Sequence, residues 1–182
     1  MKSMHREKDR TSFYEEVIRR NSETVYRLAY ALVRTRADAD DIYQEVFLRY
    51  VRKTPAFDSA EHEKAWFMRV TINCCRNFWR SPWMQRRSAL EGDALEREAS
   101  GADMFYEAAD EDRLLIETVK QLPEKYRVVI HLFYYEDLSV EEIGRITKSK
   151  ASTVRTRLTR ARRELKSLLQ QEGGDFHVQG QI

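Results

Sequence analysis

Residues 138–169, LSVEEIGRITKSKASTVRTRLTRARRELKSLL, leave the chain little freedom of fold. Val154, Leu158, Ala161 and Leu165 recur at helical spacing, so one face of this segment is apolar. The other faces are basic: residues 145–166 hold nine Arg or Lys against the single Glu164. A short helix is expected just before it, opened by Ser139 with Glu142 three residues on, the pairing in which side chain and backbone cap each other. Two helices joined by a tight polar turn, the second one basic, outline a helix-turn-helix.

The rest of the chain reads as helical too. Six Gly and three Pro among 182 residues, with 34% charged and 42% hydrophobic residues, suit a mostly helical, water-soluble protein. The formal net charge of +2 averages two opposed segments, since residues 90–112 carry nine acids against Arg97 alone. Local charge is therefore the signal. Cys74 and Cys75 are adjacent and lack any metal-ligand or disulfide spacing, so they are expected to pack as small hydrophobes. The longest apolar run, 128–135, is too short to cross a bilayer, and the first residues lack the apolar segment of a signal peptide. A reducing, cytoplasmic setting is expected.

In chain order, residues 1–11 are expected to be frayed. Phe13, Val17, Val25, Leu28, Ala29, Leu32 and Val33 fit one or two amphipathic helices, with a break expected at Asn21–Ser22. Thr35 and Asp38 form a capping pair for a helix to about Lys53, with Ile42, Val46 and Tyr50 on one face; Pro55 ends it. After a polar loop, a helix over about 62–80 mixes Trp66, Phe67, Phe78 and Trp79 with Arg, Lys and the amides Asn73 and Asn77. Such a mixture suits single-stranded nucleic acid, while the plain alternative is a core of Trp66, Met68, Val70 and Ile72 beneath a solvated basic face.

Residues 82–111 read as a flexible acidic linker, with a short helical piece near 104–106. Beyond it, Leu115, Val119 and Leu122 mark one helix, and Pro123 opens the next. Tyr126, Val129, Ile130 and Phe133 supply that helix's buried face. Residues 171–182 are expected to be a disordered tail. The expected class is all-α: two small helical domains, 12–81 and 112–170, joined by the linker, the second ending in the helix-turn-helix.

Four stretches, ADDIYQEVFLRY (39–50), AWFMRVTINCCRNFWRS (65–81), QLPEKYRVVIHL (121–132) and 138–165, together resemble the extracytoplasmic-function (ECF) sigma factors, subunits through which RNA polymerase recognises and opens promoters. The resemblance implies a non-enzymatic protein without cofactor or metal, whose partners are core RNA polymerase, promoter DNA and an anti-sigma factor. It implies that Asp41, Gln44 and Glu45 lie on a polymerase-docking helix, with Asp38 and Asp40 on its solvated side. It implies that the −10 element is held by Asp58, Ser59, Lys64, Asn73, Arg76, Asn77 and Arg80, with a flipped base against the loop 58–61 and Trp66 in the core. It implies that the −35 element is read in the major groove by Lys150, Ser152, Thr153, Arg155, Thr156, Thr159 and Arg160. Arg155 and Arg160 suit guanine or phosphate, and Ser152 and Thr153 suit a phosphate oxygen near the helix N-terminus. Arg162, Arg163 and Lys166 are solvated or backbone-contacting charge. At the turn, Lys148 and Ser149 stand where the family often has Gly and an apolar residue, leaving the cap of the second helix to Ser149 or Lys150.

Two other readings remain. A stand-alone helix-turn-helix regulator would leave 39–50 and 65–81 without a purpose. An enzyme finds only scattered histidines, His5, His62, His131 and His177.

Overall fold

Helix-forming residues with few breakers produce helices throughout a computed structural model that describes residues 2–33, 35–81 and 110–171. The chain divides into two units, the first containing α1 (Lys2–Leu32), α2 (Arg36–Lys53) and α3 (Ala60–Arg80), the second α4 (Asp110–Gln121), α5 (Glu124–Tyr134), α6 (Val140–Thr147) and α7 (Ala151–Gln171). The acidic segment 82–109, with the helical piece expected in it, and the tail from 172 lie outside the described residues.

In the first unit all three helices pack on one another. α1 differs from expectation twice: helix extends through residues 2–11, and there is no break at Asn21–Ser22. The reason is that both polar side chains are satisfied without leaving the helix. Asn21 Nδ2 donates to Val17 O at 2.9 Å and to Glu63 Oε1 at 2.7 Å, while Ser22 Oγ donates to Ile18 O at 2.6 Å and meets Tyr43 Oη at 2.9 Å. A buried polar group that finds partners costs little. Asn21 can therefore sit in the stripe between buried Val17 and Val25.

Glu63 is the other half of this arrangement. Its carboxylate is almost buried, accepts from Asn21, and is forked by Arg20 through Nε at 3.2 Å and Nη2 at 3.0 Å. That hydrogen bond raises the Arg20 guanidinium above its ordinary value. The first turn of α3 is thereby pinned to the middle of α1.

The caps follow the sequence. Thr35 Oγ1 accepts from Asp38 N at 3.1 Å and opens α2, which closes at Thr54 in the left-handed region (φ 43°) directly before Pro55. Ser59 Oγ accepts from His62 N at 3.1 Å and opens α3 at Ala60. Residues 60 and 61, expected in a loop, are helical because this cap acts two residues early. Ile42, Val46 and Tyr50 are buried as expected, and Tyr50 gathers Phe67 (5.3 Å), Trp66 (6.2 Å) and Phe57 (6.4 Å) around its ring. Met68 and Ile72 are buried as expected, but Trp66 is only half-buried, not a core residue, and Val70 is half-buried too; Phe67 joins Met68 and Ile72 in the interior. Cys74 and Cys75 are buried free thiols, and burial pushes the Cys74 thiol up to about 11, leaving it an unreactive hydrophobe.

In the second unit α7 packs against α4, α5 and α6. Pro123 precedes α5, its carbonyl accepting from Tyr126 N at 2.8 Å and Arg127 N at 3.1 Å. Every residue from Tyr126 to Leu132 is buried, whereas Phe133 is half-buried. Ser139 and Glu142 form the full capping box expected of α6: Ser139 Oγ accepts from Glu142 N at 3.3 Å and Glu142 Oε2 accepts from Ser139 N at 2.8 Å.

The Ser139 hydroxyl also donates to Glu142 Oε2 at 2.6 Å, and this bond, followed by that from the Ser139 backbone N–H, holds the Glu142 carboxyl below its ordinary value. α6 ends at Lys148, held in the left-handed region (φ 53°) that favours glycine. Gly144 faces that turn so closely that a Cβ there would lie 2.8 Å from Ser149 O. The cap of α7 resolves to Lys150, whose carbonyl accepts from Thr153 N and Val154 N; the Ser149 hydroxyl accepts from Arg157 instead.

Candidate nucleic-acid interface

Three sets of side chains emerge from these helices. On α2, Asp41 and Gln44 are exposed and Glu45 half-exposed, its Oε1 accepting from Arg49 Nε at 2.6 Å. Asp40 is exposed as expected, but Asp38 is not on the solvated side. It is 2% exposed, because its backbone N–H must reach Thr35 and the first turn lies against the core. Continuing along the exposed face at helical spacing are Leu48 and Val51, 48% and 43% exposed. They went unnoticed in the sequence because an apolar residue is taken for core until the opposite face is known. The acid-and-amide edge of α2 thus runs beside two exposed aliphatic side chains.

On α3, Asn73, Asn77 and Arg80 are exposed along one side, Lys64 and Arg76 are half-buried, and Asp58 and Ser59 are exposed at the N-terminal end. The helix rise spreads this set over about 30 Å, so it cannot surround one base. It fits a strand of several nucleotides. His62 belongs with Asp58 and Ser59: its Nδ1 lies 3.4 Å from Asp58 Oδ2 and its ring meets Phe57 edge-on at 5.8 Å. The i,i+4 spacing of Asp58 and His62 was the signal available in the sequence. The neighbouring Glu61 carboxyl lies below its ordinary value, stabilised by its own backbone N–H and the Ser59 hydroxyl.

On α7, Val154, Leu158 and Ala161 are buried as expected. Lys150, Ser152, Arg155, Thr156, Thr159 and Arg160 are exposed, and Thr153 is half-buried. Arg155, Thr156, Thr159, Arg160 and Arg163 line one open depression. The hydroxyls of Thr156 and Thr159 donate back to Ser152 O and Arg155 O, at 2.9 and 3.0 Å, leaving the arginines as the outward donors. A second depression joins Ser152, Thr153, Thr156 and Arg160 to Arg157 and, from the first turn of α5, Lys125 and Tyr126. Lys125 was not legible beforehand, since only the fold brings it to α7. Arg162 stands apart: its Nε donates to Tyr134 Oη at 2.8 Å and its guanidinium lies over the Phe133 and Tyr134 rings, so it braces α5.

Among the described residues no cluster of His, Cys, Asp and Glu is arranged to hold a metal, and no helix is long and apolar enough to cross a membrane.

Comparison with known proteins meets this geometry. Residues 17–84 match the family model of sigma-70 region 2 and residues 112–165 that of sigma-70 region 4. The RNA polymerase sigma factor SigV of Bacillus subtilis is 30% identical over 152 residues, covering 84% of this chain and 88% of that protein. The ECF RNA polymerase sigma factor SigE of Mycolicibacterium smegmatis is 32% identical over 158 residues, 86% of this chain and 61% of that one. The same fold occurs in the sigma factor RpoE solved with the anti-sigma factor NepR from Bartonella quintana (TM-score 0.63, 20% identity, covering 90% and 98% of the two chains). It occurs again in CnrH solved with the cytosolic domain of CnrY (TM-score 0.60, 21% identity, covering 87% and 88%).

Proposed function

The chain belongs to the ECF family of RNA polymerase sigma factors, and from that premise we propose how its residues divide the work of binding core polymerase and directing promoter recognition and strand opening. Asp41, Gln44 and Glu45, with Leu48 and Val51 beside them, dock on core polymerase. The acids steer association and fix register, and the aliphatics contribute the area removed from water.

Asp58 and Ser59, with His62, receive an unstacked base of the −10 element. Asn73 and Asn77 offer amides to base or sugar edges, and Lys64, Arg76 and Arg80 pair with phosphates along the opened strand. Lys150, Ser152, Thr153, Arg155, Thr156, Thr159 and Arg160 face the −35 duplex, with Lys125 added from α5. The domains span 12–81 and 112–170. The protein works in the cytoplasm, carries out no catalysis itself, and is held in check by an anti-sigma factor, as the sigma factor RpoE is found in complex with the anti-sigma factor NepR.

The observation that carries this reading is the coexistence, in one chain, of an exposed acid-and-amide face on α2 and an arginine-lined depression on the helix-turn-helix. A stand-alone DNA-binding regulator needs only the second. Run-off transcription with core polymerase, with and without the chain, separates the two: defined transcripts should appear only when the chain is added. Tight, specific duplex binding by the chain alone, with no stimulation of transcription, would overturn the proposal.

A further inference from the structure

We propose that Glu141 is a positioning residue that makes Arg155 a reader of base edges rather than a clamp on phosphate. The inference rests on α7 being the −35 helix. Glu141 lies in the first turn of α6 and its Oε1 accepts from Arg155 Nη2 at 2.7 Å, across the turn that joins the two helices. Both side chains are 61% exposed, so the pair adds little to stability. Its consequence is geometric. Arg155 borders the depression shared with Thr156, Thr159, Arg160 and Arg163, and the carboxylate fixes where its fork points.

A guanidinium carries five N–H donors in one plane, so engaging Nη2 leaves other donors free for a pair of acceptors such as guanine O6 and N7. The same carboxylate opposes a phosphate oxygen brought within a few ångströms of Arg155, whereas a base edge carries no net charge. Arg160 borders the same depression without a carboxylate partner among the described residues, and phosphate suits it. The backbone that carries Glu141 is firmly placed. The Ser139–Glu142 capping box fixes the turn on one side, and the close approach of Gly144 to Ser149 fixes it on the other.

The test uses the full chain with core polymerase on promoters randomised across the −35 element, read by sequencing the transcripts. Wild type, Glu141→Ala, Glu141→Gln, Arg155→Ala and the Ala/Ala double variant are compared. Arg155→Ala should reduce preference at one position roughly tenfold. Glu141→Ala should flatten the same position, with total transcription kept or raised because an anion has been removed. Glu141→Gln should fall between, and the double variant should match Arg155→Ala. The melting temperature should not move.

If Glu141→Ala leaves the preference intact, or lowers transcription uniformly with a lower melting temperature, the positioning role is overturned while the sigma-factor reading stands. The same holds if Arg155→Ala flattens no position. If the wild-type chain fails to stimulate transcription at all, the sigma-factor reading falls and this inference with it.

Discussion

The two units solve opposite problems with different materials. The first surrounds Tyr50 with aromatic rings, crosses its core with the Asn21–Arg20–Glu63 network, and exposes amides, acids and a few aliphatics. The second has an aliphatic interior around Val129, Leu132, Ile143, Val154 and Leu158, and sets most of its arginines on α7. On the proposed division of labour, the unit that opens DNA must keep a rigid face about 30 Å long while bases leave their stack, and cross-helix polar ties supply that rigidity. A unit that reads closed duplex needs one helix at the correct angle, so its precision is concentrated in the turn between α6 and α7. Damage should therefore be diffuse in the first unit and sharply local in the second.

The turn gives the largest expected effect. Gly144→Val places a branched side chain where even a Cβ would lie 2.8 Å from the Ser149 carbonyl oxygen, and a backbone atom cannot swing aside. Overpacking of this kind should cost about 3 kcal/mol, only partly offset by the gain of a non-glycine residue in a helix. Differential scanning calorimetry should show the second unit melting earlier with the first unchanged. Equal loss in both units would break the contrast.

Next comes Glu63→Ala, which removes the carboxylate shared by Arg20 and Asn21. Asn21 keeps Val17 O and Arg20 keeps Glu16, so the loss should be about 2 kcal/mol rather than that of a fully orphaned pair. Urea unfolding of the first unit reports it. Permanganate footprinting of the promoter should show strand opening reduced as well, because the network anchors the turn that carries Ser59 and His62.

Legibility followed the same division. The capping box, the buried stripe of α7 and its exposed arginines were readable because each depends on residues within a turn or two of one another. Continuity of α1 through Asn21, burial of Asp38 and the half-exposure of Trp66 depend on partners on other helices, which spacing along one helix does not reveal. Glu63 lies 42 residues from Asn21, and nothing local marks it. Leu48, Val51 and Lys125 were missed for the same reason: their roles depend on which face the fold leaves open.

The functional faces can be separated in turn. Asp41→Arg should weaken binding to core polymerase roughly tenfold through reversed steering and lost contacts, measured by fluorescence anisotropy, while DNA binding by the second unit is unaffected. Arg160→Ala should do the reverse, leaving polymerase affinity intact and lowering transcription from cognate −35 elements. If both variants keep full promoter-dependent transcription, the assigned faces are wrong. A smaller effect, of opposite sign, is expected at the turn: Lys148→Gly relieves a left-handed residue and should stabilise the second unit by about 0.5 kcal/mol, after the entropy of glycine is subtracted.

The smallest effect is a pH dependence set by the capping box of the second unit. Glu142 has a folded-state carboxyl held below its ordinary value of 4.5 by Ser139, so the folded state binds its proton less readily than the unfolded chain does. Its contribution to stability is therefore fully present above the unfolded value and is lost as the pH falls through the folded one. Comparing wild type with Glu142→Gln across that range should show the gap between them closing on acidification, because glutamine keeps an acceptor but does not titrate. Glu61 behaves with the same sign at the start of α3. The contrast between the units sharpens only if Glu142→Gln alters the acid slope of the second transition and leaves the first alone. A gap that stays constant with pH would mean that the capping box acts through its geometry and not through its charge.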